Sequence, residues 1–138
     1  MVNTLDMQDI RYLNLFSKIT NVQTKFCFKY NETIMFCVPK RLVSKALGEN
    51  AGNLRKMSEI LRKKIKVIPI PNGVEDAQEF VKAIVSPVTF KELEVKDDEI
   101  VLTAGSQSKA ALIGRNKRRL LEMQNILKNF FKREYRIV

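Results

Sequence analysis

The stretch ALIGRNKRRLLEMQNIL, Ala111–Leu127, places one glycine inside an apolar approach and follows it with four basic residues in five. Behind the basic run, Leu120, Met123, Ile126 and Leu127 recur at helical spacing, so a helix begins just after Gly114. A shorter helix ends in Leu112-Ile113, which puts the glycine between two helices. The first turn of the second helix carries backbone N–H groups without intrahelical partners, and the helix dipole adds partial positive charge there. A glycine at this point either lets a sugar-phosphate chain come close, because no Cβ stands in the way, or simply caps the preceding helix beside a solvated basic face. The cations around it, Arg115, Lys117, Arg118 and Arg119, favour phosphate approach.

Moving outward, an offset of 66 residues lays Gly48 on Gly114, Leu47 on Ile113, Asn50 on Asn116, Leu54 on Leu120, Met57 on Met123, Ile60 on Ile126 and Leu61 on Leu127. The same offset puts Asn31-Glu32 on Asp97-Asp98 and Ile34 on Ile100. Turn, glycine and helical spacing falling on one offset indicate two copies of one unit.

Each copy reads alike. In the first, Thr4 caps a helix with Leu5, Leu13, Phe16 and Ile19 inward. TKFCFKY and TIMFCV follow as a hairpin around Asn31-Glu32, with Phe26, Phe28 and Tyr30 on one face and Lys25, Cys27 and Lys29 on the other. Phe26, Phe28 and Phe36 fit packing against the helix better than a base-stacking surface. A short helix, Leu42 to Leu47, is broken by GENAG. A second runs from Asn53 to about Lys63 with Leu54, Met57, Ile60 and Leu61 on one face, and KIKVIPI closes the copy. After Pro71-Asn72-Gly73, the second copy opens with a helix carrying Ala77, Phe80, Val81 and Ile84 inward and stopped by Pro87. Strands TFKELEV and EIVLTA, a short helix, the Gly114 loop, a longer helix to about Phe131 and the strand YRIV complete it. The order α-β-β-α-α-β appears twice, an α+β chain with domains at 1–72 and 73–138.

The chain of 138 residues has a formal net charge of +10 and no histidine. Residues 40–66 and 107–138 each hold nine Lys/Arg against two Asp/Glu, whereas 67–106 hold three against eight. Such basic segments suit polyanions, since neutralising phosphates releases condensed counterions whatever the base sequence. No run of about 18 apolar residues occurs, and no basic leader precedes an apolar stretch, so the expectation is a cytoplasmic protein without membrane contact. Without histidine the commonest general base is missing and zinc has no ligand set; Cys27 and Cys37 read as reduced core thiols rather than a disulfide. Asp97-Asp98-Glu99 reads as a hairpin turn, not a metal site. No cofactor and no catalytic residue is expected.

The repeated α-β-β-α-α-β order, with a loop between its second and third helices, resembles the type II KH fold, an RNA-binding module whose GXXG loop clamps the nucleic-acid backbone. Two such units in tandem, with LDMQDIRYLNLF, SPVTFKELEVKDDEI and SKAALIGRNKRRL, resemble the archaeal NusA-like transcription termination and antitermination proteins across essentially the whole chain. The resemblance implies single-stranded RNA as partner, and it alone implies contact with RNA polymerase. It assigns RNA binding to Lys45, Gly48, Glu49, Asn50, Ala51, Gly52 and Arg55 in the first copy. In the second it assigns Lys109, Gly114, Arg115, Asn116, Lys117, Arg118 and Arg119. Both loops depart from GXXG: Ala51 and Lys117 stand where the second glycine belongs. Glu49 opposes a nearby phosphate while Lys117 adds a cation, so the second loop is expected to bind more strongly. Bases would lie beside Val43, Leu47 and Leu54, or beside Leu112, Ile113 and Leu120.

Arg62-Lys63-Lys64 and Lys66 read equally as an RNA contact and as a solvated helix end. Three classes of function are thereby compared. One is a tandem KH module on single-stranded RNA; another is a module binding ribosomal RNA or an acidic protein surface with loops turned structural. The third, an enzyme on nucleic acid, lacks any supporting motif.

Overall fold

A computed structural model describes residues 6–138. The chain divides into two compact units, one reaching Ile70 and the other starting at Pro71. In the first, helix α1 (Met7–Thr20) is opened by Asp6, whose Oδ1 accepts from the Asp9 N–H at 2.8 Å while Asp9 Oδ2 accepts from the Asp6 N–H at 3.4 Å. This reciprocal box satisfies two of the helix's orphan donors. Thr4 and Leu5, expected to cap and line this helix, lie outside the described residues.

Strands β1 (Phe26–Tyr30) and β2 (Thr33–Val38) pair antiparallel around Asn31 and Glu32, both at positive φ (51° and 62°), the backbone a two-residue hairpin turn needs. A single 3-10 turn at Lys40–Leu42 leads to α2 (Val43–Leu47), then α3 (Gly52–Leu61), then β3 (Lys64–Pro69), which runs parallel to β2. The order β1-β2-β3 places β2 in the middle, buried from Ile34 to Val38.

Register decides which side chains meet α1. Phe36 stacks on Phe16 with ring centroids 4.4 Å apart, and Cys27, directly opposite Phe36, joins that core with Ile34, Val38, Ala46, Met57 and Ile65. Phe26, Phe28 and Tyr30 therefore occupy the other sheet face, with Met35 and Cys37. The expectation that Phe26 and Phe28 pack on the helix is corrected: the turn fixes the register, and a period of two then assigns every side chain to its face. The same register sends the Cys27 and Cys37 side chains to opposite faces, so they cannot bridge each other. Both are free and buried. Burial pushes the Cys27 thiol up to about 12 and raises that of Cys37 as well.

The second unit repeats this plan: α4 (Ala77–Val85), β4 (Glu92–Val95), β5 (Glu99–Thr103), α5 (Ser106–Ile113), α6 (Arg118–Phe131) and β6 (Glu134–Ile137). Here β4 is antiparallel to the central β5, and β6 is parallel to it. Ala77, Phe80, Val81 and Ile84 are buried as their spacing requires, and α4 stops before Ser86-Pro87. The offset of 66 holds from β1 to the start of α3: Cys37 faces Phe26 as Thr103 faces Glu92. Beyond it the offset becomes 70, since Lys64 faces Thr33 and Glu134 faces Glu99. Four extra residues make about one helical turn, and this turn delivers Phe130 and Phe131 to Phe80, at centroid distances of 4.8 and 5.8 Å.

The extra turn also explains a mismatch. Ile126 is buried, but its counterpart Ile60, expected to face inward, is 54% exposed. Helix α3 stops one residue beyond Ile60, whereas α6 continues another turn past Ile126. Among the described residues no helix is long and apolar enough to cross a membrane.

Candidate nucleic-acid interface

In each unit a 3-10 turn joins the two adjacent helices, at Glu49–Ala51 and at Arg115–Lys117. The backbone of the two turns is nearly superimposable. Gly48 stands at φ 77°, ψ 175° and Gly114 at 75°, 171°; Asn50 at 52°, 35° and Asn116 at 56°, 28°; Ala51 at 57°, 31° and Lys117 at 60°, 23°. Two different sequences, GENA and GRNK, thus hold one conformation. Neither α3 nor α6 has a side-chain cap at its N-terminus, so donors of the first turn are not consumed by a capping residue.

Why a glycine opens each loop follows from these angles. Positive φ with extended ψ is a region essentially reserved for glycine. A Cβ on Gly48 would also lie 2.8 Å from Asn53 Cγ, and one on Gly114 would lie 3.0 Å from Arg119 Cγ and 3.2 Å from Arg119 N. The chain turns so tightly that the following helix itself fills the space of a side chain. At the fourth loop position the left-handed conformation persists, but on residues with a Cβ. Ala51 and Lys117 each adopt it against an intrinsic cost of roughly 1–2 kcal/mol. Gly52, by contrast, is ordinary right-handed helix, and a Cβ there would meet nothing within 4 Å.

The residues expected to bind RNA gather around these turns. Lys45, Glu49, Asn50 and Arg55 are exposed, with Gly48, Ala51 and Gly52 half-buried; Arg115, Asn116, Lys117 and Arg118 are exposed, with Lys109, Gly114 and Arg119 half-buried. Two contacts in the first loop were not visible in the sequence. Arg55 donates from its guanidinium to the Asn50 carbonyl oxygen, bracing the turn from outside. Asn53 Nδ2 reaches the carbonyl oxygens of Lys45 and Ala46 at 3.4 and 3.3 Å, which helps satisfy the end of α2. By the offset of 66 the counterparts of Asn53 and Arg55 are Arg119 and Leu121. Following that offset through every position would have flagged both differences. Leu121 is 57% exposed.

Beside each turn the apolar groove candidates divide. Val43, Leu47 and Leu54, and Ile113 and Leu120, are half-buried and retain accessible surface. Leu112 is corrected: at 2% exposure it is core, at the position where the first unit has Ala46. Of the basic run, Arg62 closes α3 in left-handed conformation and Lys66 lies half-buried in β3, where burial lowers its pKa. Among the described residues no group of three or more Cys, Asp or Glu side chains could hold a metal ion.

No family model matches the chain. Over 92 residues it is 28% identical to the probable transcription termination protein NusA of Methanococcus vannielii, a match covering 67% of this chain and 51% of that protein. The matched region spans about half the length of that relative, and the similarity supports a distant relationship to NusA-like proteins. Among solved structures, the crystal structure of APE1850 matches with a TM-score of 0.67 at 22% identity, covering 97% of this chain and 99% of that one. That likeness concerns the fold.

Proposed function

We propose that the chain is an RNA-binding transcription factor of the NusA type, built from two type II KH domains at 1–72 and 73–138. It binds single-stranded RNA through its two glycine-led turns, takes part in termination or antitermination, and performs no chemistry. The distant relationship to NusA supports the transcription-related role. The observation that carries the reading is the conservation of one strained backbone in two turns of unlike sequence. Consecutive left-handed residues cost energy that packing does not require of a surface turn, and such strain persists where geometry serves a site. Uncapped helix starts and exposed cations then supply donors and charge for a ribose-phosphate strand. RNA polymerase is proposed as a partner on the strength of the relationship alone.

A second reading is favoured by one observation. The opening glycines are fully accounted for by their own helices, and Arg55 is engaged within its own turn. Loops of that kind could be structural, in a module that binds ribosomal RNA or an acidic protein surface. Salt titrations of binding to an unstructured single strand and to a duplex of matched charge separate the two. A groove for bases gives tighter single-strand binding at every salt concentration; equal affinities with equal slopes select the second reading. Backbone chemical shifts recorded with the single strand should move at 48–52 and 114–118.

A further inference from the structure

We infer that the residue one turn into the last helix of each unit, Arg55 in the first and Leu121 in the second, sets how strongly each loop holds the RNA, with Leu121 itself contacting a base or ribose. The inference rests on the RNA-binding reading and deepens it.

The two positions are equivalent by the offset of 66 and stand behind turns whose backbone angles agree within about 8°. Equivalent backbone makes the chemical difference decisive. In the first unit the Arg55 guanidinium lies across the turn and donates to the Asn50 carbonyl. The contact closes the outer side of that turn and commits the cation to the protein. Glu49, exposed in the same turn, adds a negative charge. In the second unit a leucine cannot donate to the Asn116 carbonyl, so that acceptor keeps no brace from this position.

Leu121 instead leaves an apolar side chain 57% exposed, one helical turn after the exposed cation Lys117 and in the unit whose loop also exposes Arg115. Single exposed leucines need no explanation on most surfaces. This one occupies the place where the duplicate copy spends an arginine on loop closure, and it follows Lys117, a cation suited to phosphate, by one helical turn. The combination matches a nucleotide: an anionic strand held by Arg115 and Lys117, with the apolar face of a base or sugar against Leu121. Stacking and apolar contact are how single-strand binders gain affinity without reading sequence.

The test uses the full chain and a short unstructured RNA, with affinity measured across a salt series. Leu121→Ala should weaken binding about fivefold while leaving the salt slope unchanged, because only apolar contact is removed. Leu121→Arg should also weaken it by several-fold, although it adds a positive charge, because the new guanidinium can close the second turn as Arg55 closes the first. Simple electrostatics predicts the opposite sign: tighter binding and a steeper slope. Leu121→Arg binding as tightly as the native chain or tighter, or Leu121→Ala binding unchanged, overturns the inference while the RNA reading stands. If the Arg115→Ala, Lys117→Ala double variant also binds as well as the native chain, the RNA reading itself fails and the inference with it.

Discussion

The two glycine-led turns share a backbone and almost nothing else. The first is braced by Arg55, carries Glu49 and ends in Ala51; the second carries Arg115 and Lys117 and has Leu121 in place of the brace. Duplication thus preserved the part of the loop that sequence specifies through two residues, the glycine and the left-handed asparagine, and allowed the charged exterior to diverge. Conformation and chemistry are separable here because the turn is closed by main-chain bonds: Ala51 N–H to the Gly48 carbonyl at 3.1 Å, and Lys117 N–H to the Gly114 carbonyl at 3.2 Å. The cores differ as well. The first unit buries two thiols where the second, by the same offset, has Leu93 and Thr103.

The largest contrast should appear in alkali. Unfolded thiols ionise near 9.0, whereas folded Cys27 holds its proton to about 12 because burial disfavours the thiolate. A raised folded value means the stability is intact below pH 9 and is lost as pH rises towards 12. The first unit should therefore unfold at lower pH than the second. Methyl signals of Met35 and Met57 should report its loss before Met123 responds; simultaneous loss would remove the distinction.

Next in size are the glycines. Gly114→Ala should destabilise its unit by about 2–3 kcal/mol, since alanine is strained at φ 75° with extended ψ. Gly48→Ala should cost about 1 kcal/mol more, because the new Cβ displaces Asn53 from the carbonyls it serves. Denaturant unfolding with unit-specific probes measures both, and equal costs would show that Asn53 contributes nothing.

For RNA the asymmetry should be about tenfold, a loss of about thirtyfold in the second loop against a few-fold in the first. Replacing Arg115 and Lys117 together by Ala removes two phosphate contacts at about 1 kcal/mol each. Replacing Lys45 and Arg55 together should cost only a few-fold. A larger loss from the second pair would invert the ranking of the loops.

The smallest effect concerns the fourth loop position. Ala51→Gly and Lys117→Gly should each stabilise by about 0.5 kcal/mol, the relief of left-handed strain exceeding glycine's added chain entropy. Only Lys117→Gly should weaken RNA binding as well. Thermal unfolding and a binding isotherm on each variant show whether strain and charge separate as expected.

Much of this was legible because it is local. Gly48 and Gly114, Met57 and Met123, and the helical spacing around them lie on one offset, and the element order follows. Ile60 and Leu112 read less well, since burial depends on where a helix ends and what stands across from it. The aromatic strand β1 is the plainest case: alternation was readable, yet which face meets α1 depended on pairing with β2. Arg55 was named as a site residue, but its bond to its own turn was not legible, because a guanidinium's partner five residues back is set by a turn whose left-handed angles no residue type but asparagine advertises.

By itself the sequence determined the duplication, the secondary elements and the places where cations cluster, all of which arise from spacing along the chain. Tertiary structure alone decided that Cys27 rather than Phe26 joins the core and that α6 runs four residues beyond its counterpart to bring Phe130 and Phe131 against Phe80. It also decided that one loop is closed by its own arginine while the other is not. The physical reason is that register, helix termination and hydrogen-bond partners depend on groups brought together only when the sheet and helices pack.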